Sequence, residues 1–229
     1  MVLMTLQASG LHAAEPGVEG NVLTSSAEPS LAIRISASFE YAGVHGFDIR
    51  GVAGGTRHVW VDEHKGVIRR LFIVQLEGFY PDSGGQYHYD LSSSPEVAGY
   101  RWRSNGYAFD LSKARRESPG NESSVTARLL QEKGYEVPGL IMMWRSLTVV
   151  NEARTQEVIL FLMESADRPG FGLDQLYVDD EDTPIWKSIQ ARMEHDFHDL
   201  IELSRLDSTD QRPRAWERIP LRKEVMGAD

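Results

Sequence analysis

Cysteine is absent from the chain. Disulfides, thiolate nucleophiles and Cys-ligated zinc are therefore excluded. The compartment stays open, because a cysteine-free chain suits cytosol and periplasm alike. No apolar run approaches the roughly 20 residues that span a bilayer as a helix. Basic charge is in deficit, with 24 Lys and Arg against 34 Asp and Glu and a formal net charge of −10. A field of that sign repels phosphate backbones and anionic membranes, which argues against a nucleic-acid partner or a membrane-surface role. The best-marked enzyme motifs are also missing: no Gly-x-Ser-x-Gly elbow, His-Glu-x-x-His, dinucleotide fingerprint, Walker sequence or calcium loop. The sequence calls for no cofactor and no metal.

What is present is ordinary globular composition, 41% hydrophobic and 25% charged over 229 residues. Such a chain can bury a sizeable core and enclose a pocket. The organisation reads as a leader over Met1–Ser30, one domain over Leu31–Leu206 and a charged tail over Asp207–Asp229. The leader is mildly apolar to Ala14 and then rich in Gly, Ser, Glu and Pro. It fits the end of a secretory signal, which favours a periplasmic or secreted protein, or alternatively a disordered segment or a misplaced start.

Leu31–Tyr41 alternates as a half-buried strand, with Gly51–Thr56 as a loop beyond it. His58–Asp62 and Gly66–Tyr80 read as a hairpin, the second arm apolar on both faces and therefore central. Tyr87–Leu91 reads as a short strand. Asn105-Gly106 predicts a two-residue turn inside a hairpin over Tyr100–Leu111, placing Trp102 opposite Phe109. Asn121 caps a helix over Glu122–Lys133 with Gly134 as its stop. Leu140–Val150 and Glu157–Glu164 form a third hairpin. Thr183-Pro184 starts a long helix reaching Leu206, its Trp186, Ile189, Met193 and Phe197 on one side. The fold expected is α+β: a mainly antiparallel curved sheet or incomplete β-barrel built from hairpins, with a mid-chain helix and a long C-terminal helix.

Three constellations could carry chemistry. In the first, polar residues interrupt apolar strand faces: Gln75 and Glu77 beside Leu71 and Ile73, and Arg145 beside Met143 and Leu147. If Val150 pairs with Glu157, Arg145 lies diagonal to Glu164, and a buried arginine and carboxylate need each other. Arg145→Ala should then destabilise the fold. This set forms the polar floor of a pocket or a structural ion pair. In the second, Tyr80, Tyr87, His88, Tyr89, Trp102 and Tyr107 supply a ligand-lining wall or core packing. His58, Trp60 and Asp62 share a strand face. In the third, His195, His198 and Glu202 come together at helical spacing, but opposite the apolar stripe, so a solvated face is expected rather than a metal site. Asp179–Asp182 reads as a solvated acidic loop before a helix N-terminus.

The leading expectation is a protein binding a small anionic or amphiphilic molecule in a sheet-lined pocket through Arg145, Gln75, Tyr87 and Trp102. One alternative is a metal-independent hydrolase, isomerase or lyase whose general base is Glu77, Glu164 or His88. Another is a structural or interaction protein without a cavity. Oligomeric state is not legible.

Overall fold

The computed structural model describes residues 16–26, 29–167, 170–179 and 181–222. In chain order the strands are β1 (Gly17–Glu19), β2 (Val22–Ser25), β3 (Leu31–Ile35), β4 (Glu40–Ile49), β5 (Ala53–His64) and β6 (Val67–Phe79). Then come β7 (Glu96–Val97), β8 (Tyr100–Arg101) and β9 (Arg103–Asp110), with α1 (Leu111–Glu117) and α2 (Glu122–Glu132). β10 (Leu140–Val149), β11 (Gln156–Ser165), β12 (Tyr177–Val178), β13 (Glu181–Asp182), α3 (Pro184–Leu200) and β14 (Ile201–Arg205) complete the order.

The main sheet has six antiparallel strands in the order β4-β5-β6-β11-β10-β9. The expected α+β antiparallel architecture is found, and the sheet stays open, with β4 and β9 as its edges. β6 is central, as its two apolar faces require. Lys65 and Gly66 both adopt positive φ and close β5 onto β6 in a two-residue turn. A smaller sheet, β1-β2-β3-β14, lies over one face of the main sheet together with α3.

The even-numbered residues of the central strands make that first face. Trp60, Phe72, Val74, Leu160, Leu162 and Trp144 pack against Ile33, Ile35 and Leu203 of the small sheet and Trp186, Met193 and Phe197 of α3. Each such burial contributes about 1.5–3 kcal/mol. The odd-numbered residues make the second face, where Leu71, Ile73, Met143 and Met163 meet Leu111 of α1 and Leu130 of α2. Asn121 caps α2 by accepting from the Ser124 amide at 2.8 Å, and Gly134 follows the helix at φ 87°.

Several expectations are corrected. The Leu31–Tyr41 strand is two strands: a turn at Ser36–Ser38 sends β3 into the small sheet and β4 into the main one. Gly51–Thr56 is not all loop, since β5 begins at Ala53. Asn105-Gly106 makes no turn; β9 runs straight through it, and Asn105 pairs with Arg145 across the ladder with β10. Tyr87–Leu91 is irregular rather than a strand. α3 stops at Leu200 because Ile201–Arg205 are taken up as β14 beside β3. Within the expected leader, β1 and β2 add to the small sheet and bury Leu23, while positions 1–15 lie outside the described residues. Residues 207–222 of the expected tail fold back on β14, where Leu203 and Glu217 exchange backbone hydrogen bonds at 2.8 and 2.7 Å. Among the described residues no helix is long and apolar enough to cross a membrane.

Candidate functional site

The second face of the main sheet changes character along its length. Beneath α1 and α2 it is apolar; toward the other end it carries Arg57, Gln75, Glu77, Glu157 and Arg145. Register explains the grouping. Arg57 lies opposite Gln75, Glu77 opposite Glu157, and Arg145 opposite Phe161 on one side and Asn105 on the other. All are odd-numbered, so the pleat turns them to one side.

Arg57 is the centre of the group. It is 5% exposed. Its Nε donates to Gln75 Oε1 and its Nη1 to Thr126 Oγ1 at 3.3 Å. The guanidinium carbon stands 5.5 Å from the Phe161 ring centroid and 5.8 Å from that of Phe47, which supports a cation without neutralising it. No carboxylate among the described residues comes within ion-pair distance of Arg57. Burial pulls its pKa down to about 10. A buried cation without a counter-ion is costly, and proteins keep few of them.

Arg145 stands across Phe161 from Arg57. It donates to Asn105 Oδ1 at 2.9 Å and lies 5.3 Å from the Tyr107 ring centroid. It too has no ion-pair partner among the described residues. Tyr107 therefore sits in the field of both guanidinium groups, which oppose the burial that raises its pKa.

Glu77 and Glu157 form the other half. Glu77 accepts from Tyr87 Oη at 2.7 Å and from Gln75 Nε2, so a hydrogen-bonded chain runs Arg57–Gln75–Glu77–Tyr87. Glu157 is 3% exposed, and its Oε2 has no partner. Burial first, and the Glu77 charge second, push its pKa up to about 8, while Tyr89 and Arg145 act the other way. Burial also raises Glu77, against hydrogen bonds from Tyr87 and Gln75. At neutral pH Glu157 therefore holds its proton. Tyr87 and Tyr89 reach the pair from the irregular segment after β6, which Arg154 holds by donating to their carbonyls at 2.7 and 2.9 Å.

A cavity of about 200 Å³ opens beside Arg57. Arg57, Tyr107, Asn121 and Ser123 make its polar wall, and Phe161, Met143 and Met163 its apolar wall. Glu77 and Glu157 do not line it. Three hollows are larger. One of about 310 Å³ is lined by Glu77 and Glu157 with Leu76, Phe79, Tyr80 and Val150. Another of about 490 Å³ lies between Trp102 and Ile219–Arg222, and one of about 510 Å³ lies around Asp110, Asp167 and Asp174. The two largest present no buried unpaired charge: Arg222 pairs with Glu194, Asp110 caps α1, and Asp167 takes the amides of Gly139 and Leu140. Two of the four are chemically distinguished, the cavity beside Arg57 and the hollow at Glu77 and Glu157; the first joins a buried cation to an apolar wall.

The structure brings Gln75, Glu77, Tyr87 and Arg145 onto one face. It separates three others. Trp102 is buried in the core on the opposite face, its Nε1 donating to the Val97 carbonyl at 3.2 Å. His88 is exposed. Glu164 also faces the opposite side, and the expected Arg145–Glu164 pair is overturned. Glu157 pairs with Val149, not Val150, and that one-residue shift turns Val158, Leu160, Leu162 and Glu164 away from Arg145. Glu164 is instead held by both terminal nitrogens of Arg192 on α3, at 3.0 and 2.6 Å.

The remaining sets disperse. His58 is buried against Tyr41 while Asp62 pairs with Arg69 and Arg70. His195 faces Asp199, His198 contacts the Ile219 carbonyl, and Glu202 sits on β14 with Arg34 and Arg218. In the acidic loop, Asp182 accepts from Gln190 at 2.7 Å, and Asp180 lies outside the described residues.

No family model, curated protein or solved structure matches the chain. The reading of the site therefore rests on its own geometry.

Proposed function

We propose that the protein binds a small amphiphilic organic anion, of the class of short-chain or aromatic carboxylates. The charged head meets Arg57, and the apolar body lies against Phe161, Met143 and Met163. The observation that carries this reading is the buried Arg57 guanidinium, which has no carboxylate partner and opens on a cavity. An incoming anion would supply the missing counter-charge through charge-assisted hydrogen bonds. Arg145 adds positive potential to the same side, while Glu122 at the start of α2 opposes it. The cavity holds the volume of about seven waters, so the ligand is small. The net charge of −10 repels an anion at long range, which makes the local arginine pair the decisive contribution.

The Glu77–Glu157 pair favours a second reading, proton-transfer catalysis, because adjacent carboxylates with separated pKa values divide acid and base roles. The pair lines a separate hollow of about 310 Å³ and not the cavity beside Arg57. Binding is preferred because that cavity joins a buried cation without an ion-pair partner to an apolar wall.

Calorimetric titration with acetate, hexanoate, benzoate and hexanol tests the proposal. Hexanoate and benzoate should bind, acetate more weakly and hexanol not at all. Arg57→Met should weaken hexanoate by about tenfold or more, the worth of a charge-assisted hydrogen bond. Equal binding of hexanol and hexanoate, or an unchanged Arg57→Met variant, would overturn it.

A further inference from the structure

We propose that binding of the organic anion at Arg57 is coupled to proton uptake by the Glu77–Glu157 pair, so that the protein takes up an anion and a proton together. The inference rests on the anion-binding reading above.

The coupling follows from how the two halves of the site are joined. Gln75 bridges them, accepting from Arg57 Nε with its oxygen and donating to Glu77 Oε2 with its nitrogen. Glu77 stands directly across the ladder from Glu157. In the empty site the Arg57 charge helps to keep Glu77 ionised. A bound anion cancels that charge locally. The two carboxylates then face each other with less compensation in a poorly solvated setting, and the state with one more proton is favoured. Glu157 Oε2, buried and without a partner, is an atom able to carry that proton without breaking an existing hydrogen bond.

The other groups facing the pair do not replace this role. Tyr87 and Tyr89 come from the segment after β6, and burial and the carboxylates push both above their ordinary values, Tyr89 to about 12. Both therefore stay protonated throughout the neutral range. Arg145 on β10 opposes the rise at Glu157. Glu122 on α2 adds negative charge near Arg57 and Glu77. His45 on β4 is held below its ordinary value, chiefly by burial, and is neutral where Glu157 titrates. Arg57 titrates at about 10, above the window of interest.

Linkage fixes the sign. Below the Glu157 pKa the pair already holds its proton, and affinity is independent of pH. Above it, the bound form retains a proton that the free form has lost, so affinity falls as pH rises.

The test is calorimetric titration of hexanoate and benzoate between pH 6.5 and 9, at pH 8 in two buffers of different ionisation enthalpy. For the wild type, Kd should be flat to about pH 7 and weaken about fivefold or more by pH 9. The apparent enthalpy at pH 8 should differ between buffers in the sense of proton uptake. Glu157→Gln should show neither pH slope nor buffer dependence, whatever its Kd at pH 6.5. A flat wild-type profile with intact binding overturns the coupling alone. A slope that survives in Glu157→Gln also overturns it. Absence of binding by either probe at every pH overturns the anion reading, and the coupling with it.

Discussion

Glu157→Gln should remove the fall in stability with rising pH that Glu157 contributes between pH 4.5 and 8. Glu157 is buried to 3% exposure, and its pKa stands at about 8 against an ordinary 4.5. The folded chain therefore binds a proton across that window which the unfolded chain has released. Stability falls with rising pH wherever the native state holds more protons. Burial and the facing Glu77 charge are the causes, and the full effect is on the order of 5 kcal/mol. Glutamine has the shape and the neutrality of the protonated acid and does not titrate. At pH 5 the variant and wild type should agree within about 1 kcal/mol. At pH 8.5 the variant should be the more stable by on the order of 4 kcal/mol. Urea denaturation followed by the fluorescence of the five tryptophans measures this directly. Carboxylates away from the pair titrate alike in both chains, so the difference isolates the Glu77–Glu157 pair. Parallel stability profiles would refute the claim that Glu157 is held neutral.

Two further predictions concern the arginines. Replacing both Arg57 and Gln75 by apolar residues (Arg57→Met with Gln75→Leu) should raise the melting temperature of the unliganded protein, because it removes a buried cation that has no ion-pair partner together with its amide partner. A lower melting temperature would show that Arg57 is stabilising rather than held for a ligand. Arg192→Ala should cost about 1–3 kcal/mol by leaving Glu164 unpaired, whereas Arg145→Ala should cost less than about 1 kcal/mol. Chemical denaturation of both variants at pH 7 distinguishes them, and the reverse order would contradict the observed pairing.

Much of the sheet could be read from the chain because its hairpins alternate strongly and its helices carry local caps. Asn121, Gly134 and Thr183-Pro184 marked helix ends through chemistry that acts over three or four residues. The errors arose where tertiary contacts override such chemistry. Asn105-Gly106 has the composition of a tight turn, yet β9 stays extended as the partner of β10. Gly106 is required there because a Cβ would come within 2.9 Å of Gln190 on α3. The Gly54-Gly55 pair read as loop, although it lies inside β5. A Cβ on Gly55 would collide with the Leu76 carbonyl, so the strands approach closely only without side chains. That misreading hid Arg57, which continues the alternation of Val59 and Val61.

Half of the candidate site was nonetheless legible. Gln75, Glu77 and Arg145 stood out as polar residues on apolar strand faces, and they share one face of the sheet. Their partner could not be chosen from sequence, because a one-residue difference in register exchanges Glu157 for Glu164. The site draws on five strands, the N-terminal part of α2 and an irregular segment, so no contiguous motif encodes it. Sustained alternation through Arg57 and the inward phase of Glu157 were the available signals.

The central claim is that Arg57 receives the anion. An arginine-selective NMR spectrum, recorded through the Nε–H groups while hexanoate is titrated in, tests it most directly. The Arg57 Nε resonance should move saturably, with smaller changes at Arg145. If Arg57 is unmoved while Arg103 or Arg222 responds, the ligand occupies the larger hollow beside Trp102, and the account of the site is wrong.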